Sequence, residues 1–488
     1  MARATRLSAA LTLLLAAACA VGPSPDVRPA PAPAARAAPQ PAPERAFLDS
    51  LVATSSLAAA AAPLAVDSTT EFGWLELMRD TQLVALVRTA VANNRDLRNA
   101  TALVREFRAQ QAAARGFLMP ELDLNAGAAR QRLIFGGTAY PDFNAFRGTA
   151  DAAWEVDFFG RLRRGVQAAG FDASATADNR RAVLLSLVAD VTNAYLALLE
   201  LDEDLRVAER TLDSRQLTLK LARDRFRQGV ISELDVRQFE SEVATAATRT
   251  AAFTLARAQA ESQLSVLLGQ APGPIPRGAP LAETVRAVSL PDSLPSSMLA
   301  RRPDVMRARD GWSAAMARVG VAAAARLPRV MITAEYGSQS STLGTIFGSG
   351  TSIYTIQAGV SVPLFTGGRV EAQQRAAQAH ADELRASYEQ TVLVSLREAS
   401  DALSGVRLTR DALAAQESQV RALRRAVELA ERRYDNGVSS NLEVLDVERG
   451  LFGAELALAQ AQRQYLGATV QLYKVMGGSW VEGASAPR

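Results

Sequence analysis

The sequence predicts a mixed fold, mainly α-helical with membrane β-strands, organised as two internal repeats. Three observations carry the prediction. First, the 488-residue chain matches itself at a constant offset of 208 residues without a gap. Pro120 answers to Pro328, Arg161 to Arg369, Gly229 to Gly437, Gly269 to Gly477 and Asp96 to Asp304. A period this long is a whole module duplicated once, and not the short unit of a solenoid. Second, proline is missing between Pro141 and Pro272 and again between Pro363 and Pro487. Proline is expelled from helix interiors because it lacks the N–H and clashes with the preceding turn, so two long proline-free stretches predict long helices. Third, two segments ahead of each stretch alternate apolar and polar residues with period two, the pattern of strands with one wet face.

The elements follow in chain order. Arg3 and Arg6 precede a short apolar run, Leu7 to Ala18, which reads as an export signal over 1–18. About a dozen residues are too few to span a bilayer. The run ends at Ala16-Ala17-Ala18-Cys19, similar to a bacterial lipobox, although the usual leucine three places before the cysteine is Ala16. Cys19 is therefore the expected lipidation site. Ala20 follows it, where an aspartate would signal retention at the inner membrane. Residues 23–43 hold eight of the 21 prolines, so 19–45 reads as an extended tether.

The first strand pair lies at about 118–133 and 145–159. Leu122, Leu124 and Ala126 alternate with Glu121, Asp123 and Asn125. In the second strand Phe146, Gly148, Ala150, Ala152, Trp154, Val156 and Phe158 share one face, opposite Arg147, Thr149, Asp151, Glu155 and Asp157. The second pair lies at about 328–340 and 352–364, with Val330, Ile332, Ala334 and Tyr336, then Ile356, Ala358, Val360 and Val362, on the apolar face. Four strands cannot close a barrel alone, and an open sheet edge cannot face lipid, so closure calls for further copies of the chain.

The helices are expected at 163–228 and 232–268, then 371–436 and 440–476. Leu184, Leu187, Val188, Val191, Tyr195, Leu198, Leu201 and Leu205 form an amphipathic stripe, repeated by Val392, Leu396, Ala399, Leu403 and Val406. Each pair breaks at a glycine, Gly229 or Gly437, which makes two long helical hairpins.

Composition excludes several functions. Cys19 is the only cysteine and His380 the only histidine, so one chain cannot build a zinc site or a Cys/His dyad, and no cofactor is expected. His380 reads as a solvated helix residue. The net charge is +3 without a basic stripe of interleaved aromatics, which argues against nucleic acid as a partner. No cluster shows catalytic spacing, so an enzyme is not expected.

These motifs together resemble the TolC-like outer-membrane factors, in the lipoprotein branch that serves resistance-nodulation-division efflux systems. The resemblance covers roughly residues 72–477. It is carried by CAVGP at 19–23, WEVDFFGR at 154–161, RRPDV at 301–305, VPLFTGGR at 362–369 and the segments around Gly229 and Gly437. It implies a homotrimer whose protomers each give four strands to one outer-membrane β-barrel, continued by a long periplasmic α-helical barrel. It also implies a passive exit duct for small molecules, opened at its helix tips by a periplasmic adaptor (a membrane fusion protein) and an inner-membrane pump. The division is then a first repeat over 46–269, a linker over 270–290, a second repeat over 291–477 and a tail over 478–488.

The resemblance also distributes site residues. Glu443 and Asp446 sit where the family has its constricting acidic ring, and their three-residue spacing puts them on one helix face. Arg449 follows Asp446 by three and is expected to pair with it in the closed state. The first tip carries Asp235 and Gln238 at the equivalent positions, one acid fewer. Gly229, Val230, Gly437 and Val438 are the expected adaptor contacts. Gly160, Arg161, Gly368 and Arg369 mark the barrel-to-helix junctions, with a structural role. The residues themselves leave open a protein-secretion duct, a periplasmic adaptor or a coiled-coil stalk. An adaptor would carry a single hairpin between lipoyl-like halves, and a stalk would not need alternating strands.

Overall fold

The computed structural model describes residues 78, 80–132, 134–139, 141–286, 301–436 and 438–478. Cys19, the export segment, the tether, Gly437 and the last ten residues lie outside the described residues. The elements are α1 (Thr81–Asn93), α2 (Arg95–Gly116), β1 (Glu121–Gln131), β2 (Ile134–Phe135), β3 (Thr138–Ala139), β4 (Phe143–Val156), α3 (Arg161–Arg227), α4 (Glu233–Leu267), α5 (Leu281–Arg286), α6 (Pro303–Ala324), β5 (Arg329–Ser340), β6 (Ser352–Ser361), α7 (Arg369–Asp435) and α8 (Asn441–Val475). The repeat is visible in their bounds. α3 and α7 are each 67 residues long, and α4 and α8 are each 35. α2 and α6 are each 22. All three pairs start 208 residues apart.

The chain forms two compact units. The first draws on residues 100–180 and 304–391 and contains an antiparallel sheet in the order β1-β4-β5-β6. Its register sorts the two faces. Leu124, Ala150, Tyr336 and Tyr354 lie side by side across the four strands, and so do Leu122, Ala152, Ala334 and Ile356. On the other face Asp123, Asp151, Glu335 and Thr355 form a row. Arg147 pairs with Glu335, and Asn125 donates to Asp151 at 2.6 Å. The apolar face is left open, with Leu124 at 85% exposure and Tyr354 at 77%. A face this apolar and uncovered suits a lipid solvent, with the polar face towards water. Trp154 adds an aromatic to this face, and its indole N–H donates to the Leu118 carbonyl at 3.0 Å. Asp157, expected at the end of the polar face, lies past β4 and accepts from the Arg163 backbone N–H at 2.8 Å at the start of α3. In the same unit Trp312 of α6 stacks on Tyr388 of α7, and Ala315 and Val319 of α6 pack with Ala381 of α7.

Among the described residues the second unit draws on 78, 80–99, 181–286, 301–303, 392–436 and 438–478, and it holds the main core. Leu184, Leu196 and Leu198 of α3, Leu264 of α4 and Leu466 and Val470 of α8 are fully buried together. Part of α3 is long and apolar enough to cross a membrane by composition, but more than half of that stretch is buried inside this core. Asp80 ties the helices together. Its carboxylate accepts from the backbone N–H groups of Gln82 and Leu83, capping α1, and from the Tyr195 hydroxyl at 2.9 Å. That hydroxyl accepts in turn from the Gly278 N–H at 2.8 Å. Asn94 plays a similar double role: its side chain caps α2 at Leu97 N and donates to the Leu267 carbonyl.

Candidate functional site: the hairpin tips

The two repeats differ in chemistry at their hairpin tips. At the first tip α3 ends in Gly229 with φ at +73°, a left-handed conformation that costs glycine little. The Val230 N–H reaches back to the Arg225 carbonyl at 2.9 Å. α4 then starts with a capping box, in which the Ser232 hydroxyl and the Asp235 carboxylate satisfy each other's backbone N–H groups. Asp235 is therefore spent on the fold. At the second tip the Val438 N–H reaches the Arg433 carbonyl at the same 2.9 Å. Ser440 makes no side-chain cap bond there. Its partner in position, Glu443, instead pairs with the Arg433 guanidinium at 3.2 Å. Asp446 is exposed one turn further on. Val230 and Val438 are both 67% exposed, a bare apolar side chain at each turn.

Arg449 does not pair with Asp446. Its guanidinium bonds Glu242 on α4, with Nε 2.9 Å from Oε1. The reason is competition between acceptors. Asp446 is solvated, whereas the Glu242 side chain is 8% exposed and already faces Arg215 of α3 at 2.8 Å. A buried carboxylate draws a second cation more strongly than an exposed one does. A second buried acid repeats the motif. Glu455 of α8 takes Arg210 of α3 and Arg424 of α7, the latter at 2.8 Å. No local spacing in the sequence marks these two triads, because their members lie on different helices and up to 245 residues apart in the chain. Burial pushes the Glu448 carboxyl up, with Arg215 pulling it down and Glu431 and Glu242 adding to the rise.

At the strand-to-helix junctions Gly160 and Gly368 have φ at +77° and +79°. Arg161 makes a two-pronged bond to Glu155, at 3.0 and 2.7 Å. Arg369 instead donates to Gln373 within its own helix and is exposed. His380 is exposed and bonded to Glu383. Among the described residues no group of three or more metal-ligating side chains occurs.

Comparison with known proteins gives the same architecture. The family described as "Outer membrane efflux protein" matches residues 86–270 and again 294–478, two matches that start 208 residues apart. The solvent efflux pump outer membrane protein SrpC of Pseudomonas putida is 34% identical over 409 residues, covering 83% of this chain and 87% of its own. The pyoverdine export outer membrane protein OpmQ of Pseudomonas putida is 32% identical over 415 residues, covering 83% and 88%. Among solved structures, the open state of the Neisseria gonorrhoeae MtrE outer membrane channel superposes with a TM-score of 0.76 at 30% identity, covering 84% of this chain and 92% of that one. The membrane-facing sheet and paired hairpins are those of outer-membrane efflux channels, and the chain belongs to the outer membrane efflux protein family.

Proposed function

We propose that three copies of this chain form one outer-membrane duct, closed at its periplasmic end by the second hairpin tip. The duct serves as the exit for small apolar or amphiphilic compounds, as the names of the solvent, toluene and antibiotic pump relatives suggest. The observation that carries this reading is the sheet. It offers an uncovered apolar face, and β1 and β6 have no further strand partner among the described residues. In lipid those edges must be paired, and further copies of the same chain can pair them.

Glu443 and Asp446 of each copy then form stacked acidic rings at the aperture, which favour cations and lie where the tip must dilate. Arg449, bonded to Glu242, ties the return helix of the second hairpin to that of the first and resists the dilation. Gly229, Val230, Gly437 and Val438 meet the adaptor with exposed apolar turns, and the inner-membrane pump acts through that adaptor. Cys19 carries the lipid that anchors each copy. The two-repeat division, 46–269 and 291–477 about a linker at 270–290, supplies six similar modules around the axis. The chain conducts and does no chemistry of its own.

The test is purification from outer membranes in mild detergent, followed by native mass spectrometry and planar-bilayer recording. A trimer mass with cation-preferring channels is expected. A monomer without conductance would remove the basis of the reading.

A further inference from the structure

The repeat turns one interface inside the chain into a map of a second interface that a single chain leaves open. α8 is covered by α3. Glu200 of α3 pairs with Arg463 of α8, Arg210 with Glu455, and Asn193 stands 3.5 Å from where a Cβ on Gly467 would be. Along α8 the covered stripe includes Glu455, Ala459, Leu466 and Val470, all buried. Moved back by 208 residues, the stripe becomes Ala247, Ala251, Ala258 and Ser262 of α4, and Arg463 becomes Leu255. The three alanines are exposed, Ser262 is half-buried, and Leu255 is 60% exposed. α4 already packs with α3 in its own hairpin, so this stripe is a different face and is waiting for cover.

The other partner behaves in the same way. On α3, Ala189, Thr192, Leu196, Asp204 and Val207 are buried. Moved forward by 208 residues they become Arg397, Ser400, Ser404, Ala412 and Ala415 of α7, all exposed. Glu200 becomes Leu408, which is 58% exposed. The ion pair Glu200–Arg463 thus maps onto two bare leucines, Leu408 and Leu255. Asn193 and Gly467 map onto Asp401 and Gln259, a carboxylate and an amide that can hydrogen-bond.

We infer that α7 of one copy packs on α4 of the next copy through Leu408 against Leu255. The inference rests on the multi-copy reading above and adds its chemistry. The interface within a chain is held by ion pairs, and the interface between chains by an apolar contact at the matching place. A closed ring of near-equivalent modules needs both interfaces to have the same geometry, and the second copy is the occupant whose α7 already carries the complementary leucine. The change from ion pair to leucine pair separates the two. Two charged faces and two apolar faces mismatch when swapped, so a hairpin is directed to its correct neighbour.

The experiment uses the full chain in outer membranes, with Leu255→Cys and Leu408→Cys introduced singly and together and treated with a short bismaleimide. The double variant should give covalent dimers and closed trimers on denaturing gels, and neither single variant should give a closed trimer. A second set replaces the leucines by the charges of the intrachain pair. Leu255→Arg alone and Leu408→Glu alone should each strip most of the trimer from detergent extracts, and the two together should restore it. Wild-type native mass separates the two claims. If the wild type is not oligomeric, the duct reading fails. If it is a trimer, yet the double cysteine variant links only within a chain or not at all, the α7–α4 pairing is overturned. A charge pair that fails to restore the trimer overturns it as well.

Discussion

Replacing Glu242 by alanine removes the acid on which Arg215 and Arg449 converge. The two arginines stand to lose very different amounts. The Arg215 side chain is 7% exposed, and without Glu242 its charge remains out of water. It retains a bond to the Glu242 backbone carbonyl at 3.1 Å and a position 6.0 Å over the Phe452 ring. Breaking a buried pair from one side costs about 3–5 kcal/mol, and these two residual contacts place Glu242→Ala near about 3. Arg449 is 51% exposed, so Arg449→Ala removes a screened pair worth at most about 1 kcal/mol. Glu242→Ala should therefore lower the unfolding midpoint, followed by circular dichroism at 222 nm in detergent, about three times as far as Arg449→Ala. Glu242→Leu combined with Arg215→Met should recover most of the loss, since an apolar pair of similar volume needs no partner. Equal midpoints for the two alanine variants, or no recovery in the apolar pair, would refute the assignment of Glu242 as the acid that holds the helices together. A dissociation of function from stability is expected as well. Arg449→Ala frees the tip while barely touching the fold, so it should raise channel conductance more per unit of stability lost.

Asp204 gives the chain a pH dependence. Burial first, then the charges of Glu200 and Glu203, push its carboxyl up to about 7 against an ordinary 3.8, while Arg463 pulls the other way. The native chain thus keeps a proton that the unfolded chain loses, and stability falls as pH rises between about 4 and 7, by roughly 1 kcal/mol per pH unit. Asp204→Asn should melt like the wild type at pH 4 and above it at pH 8; parallel curves across that range would contradict the assignment. On the sheet, two neighbouring residues should respond in opposite ways. Leu124→Arg on the apolar face should cost about 2–4 kcal/mol in lipid, whereas Asp123→Arg on the polar face should cost little. The check is the fraction of heat-resistant oligomer on gels; a greater loss for Asp123→Arg would mean that the faces are reversed, and equal losses that lipid covers neither face alone.

The long elements were legible because their physics is local or repeated. Proline-free length and a three-four apolar stripe mark α3, α4, α7 and α8 to within two residues at each end. Period-two alternation finds the four strands of the sheet. α2 is harder to read, because RDLRNATALVREFRAQQAAARG is mostly polar or small and its buried stripe is only Leu97, Ala100 and Val104. Its equivalence to α6 was the available clue, through Asp96 and Asp304 in the first turn of each helix. At the tips the sequence placed the acids but not their bonds. Asp235 and Glu443 occupy the same repeat position, yet one closes a capping box and the other pairs with Arg433. A preceding serine at both sites hid the difference. The Glu242 and Glu455 triads join helices that become neighbours only after folding, and no spacing in the chain announces them.

On the proposed reading, the aperture lies at the second tip, where the acids differ from those of the first. Single-channel conductance and reversal potential, measured in parallel for Glu443→Ala with Asp446→Ala and for the first-tip counterpart Asp235→Asn with Gln238→Ala, test it most directly. Higher conductance and weaker cation preference are expected in the second-tip variant, and wild-type behaviour in the first. Equal changes at both tips, or none at the second, would contradict it.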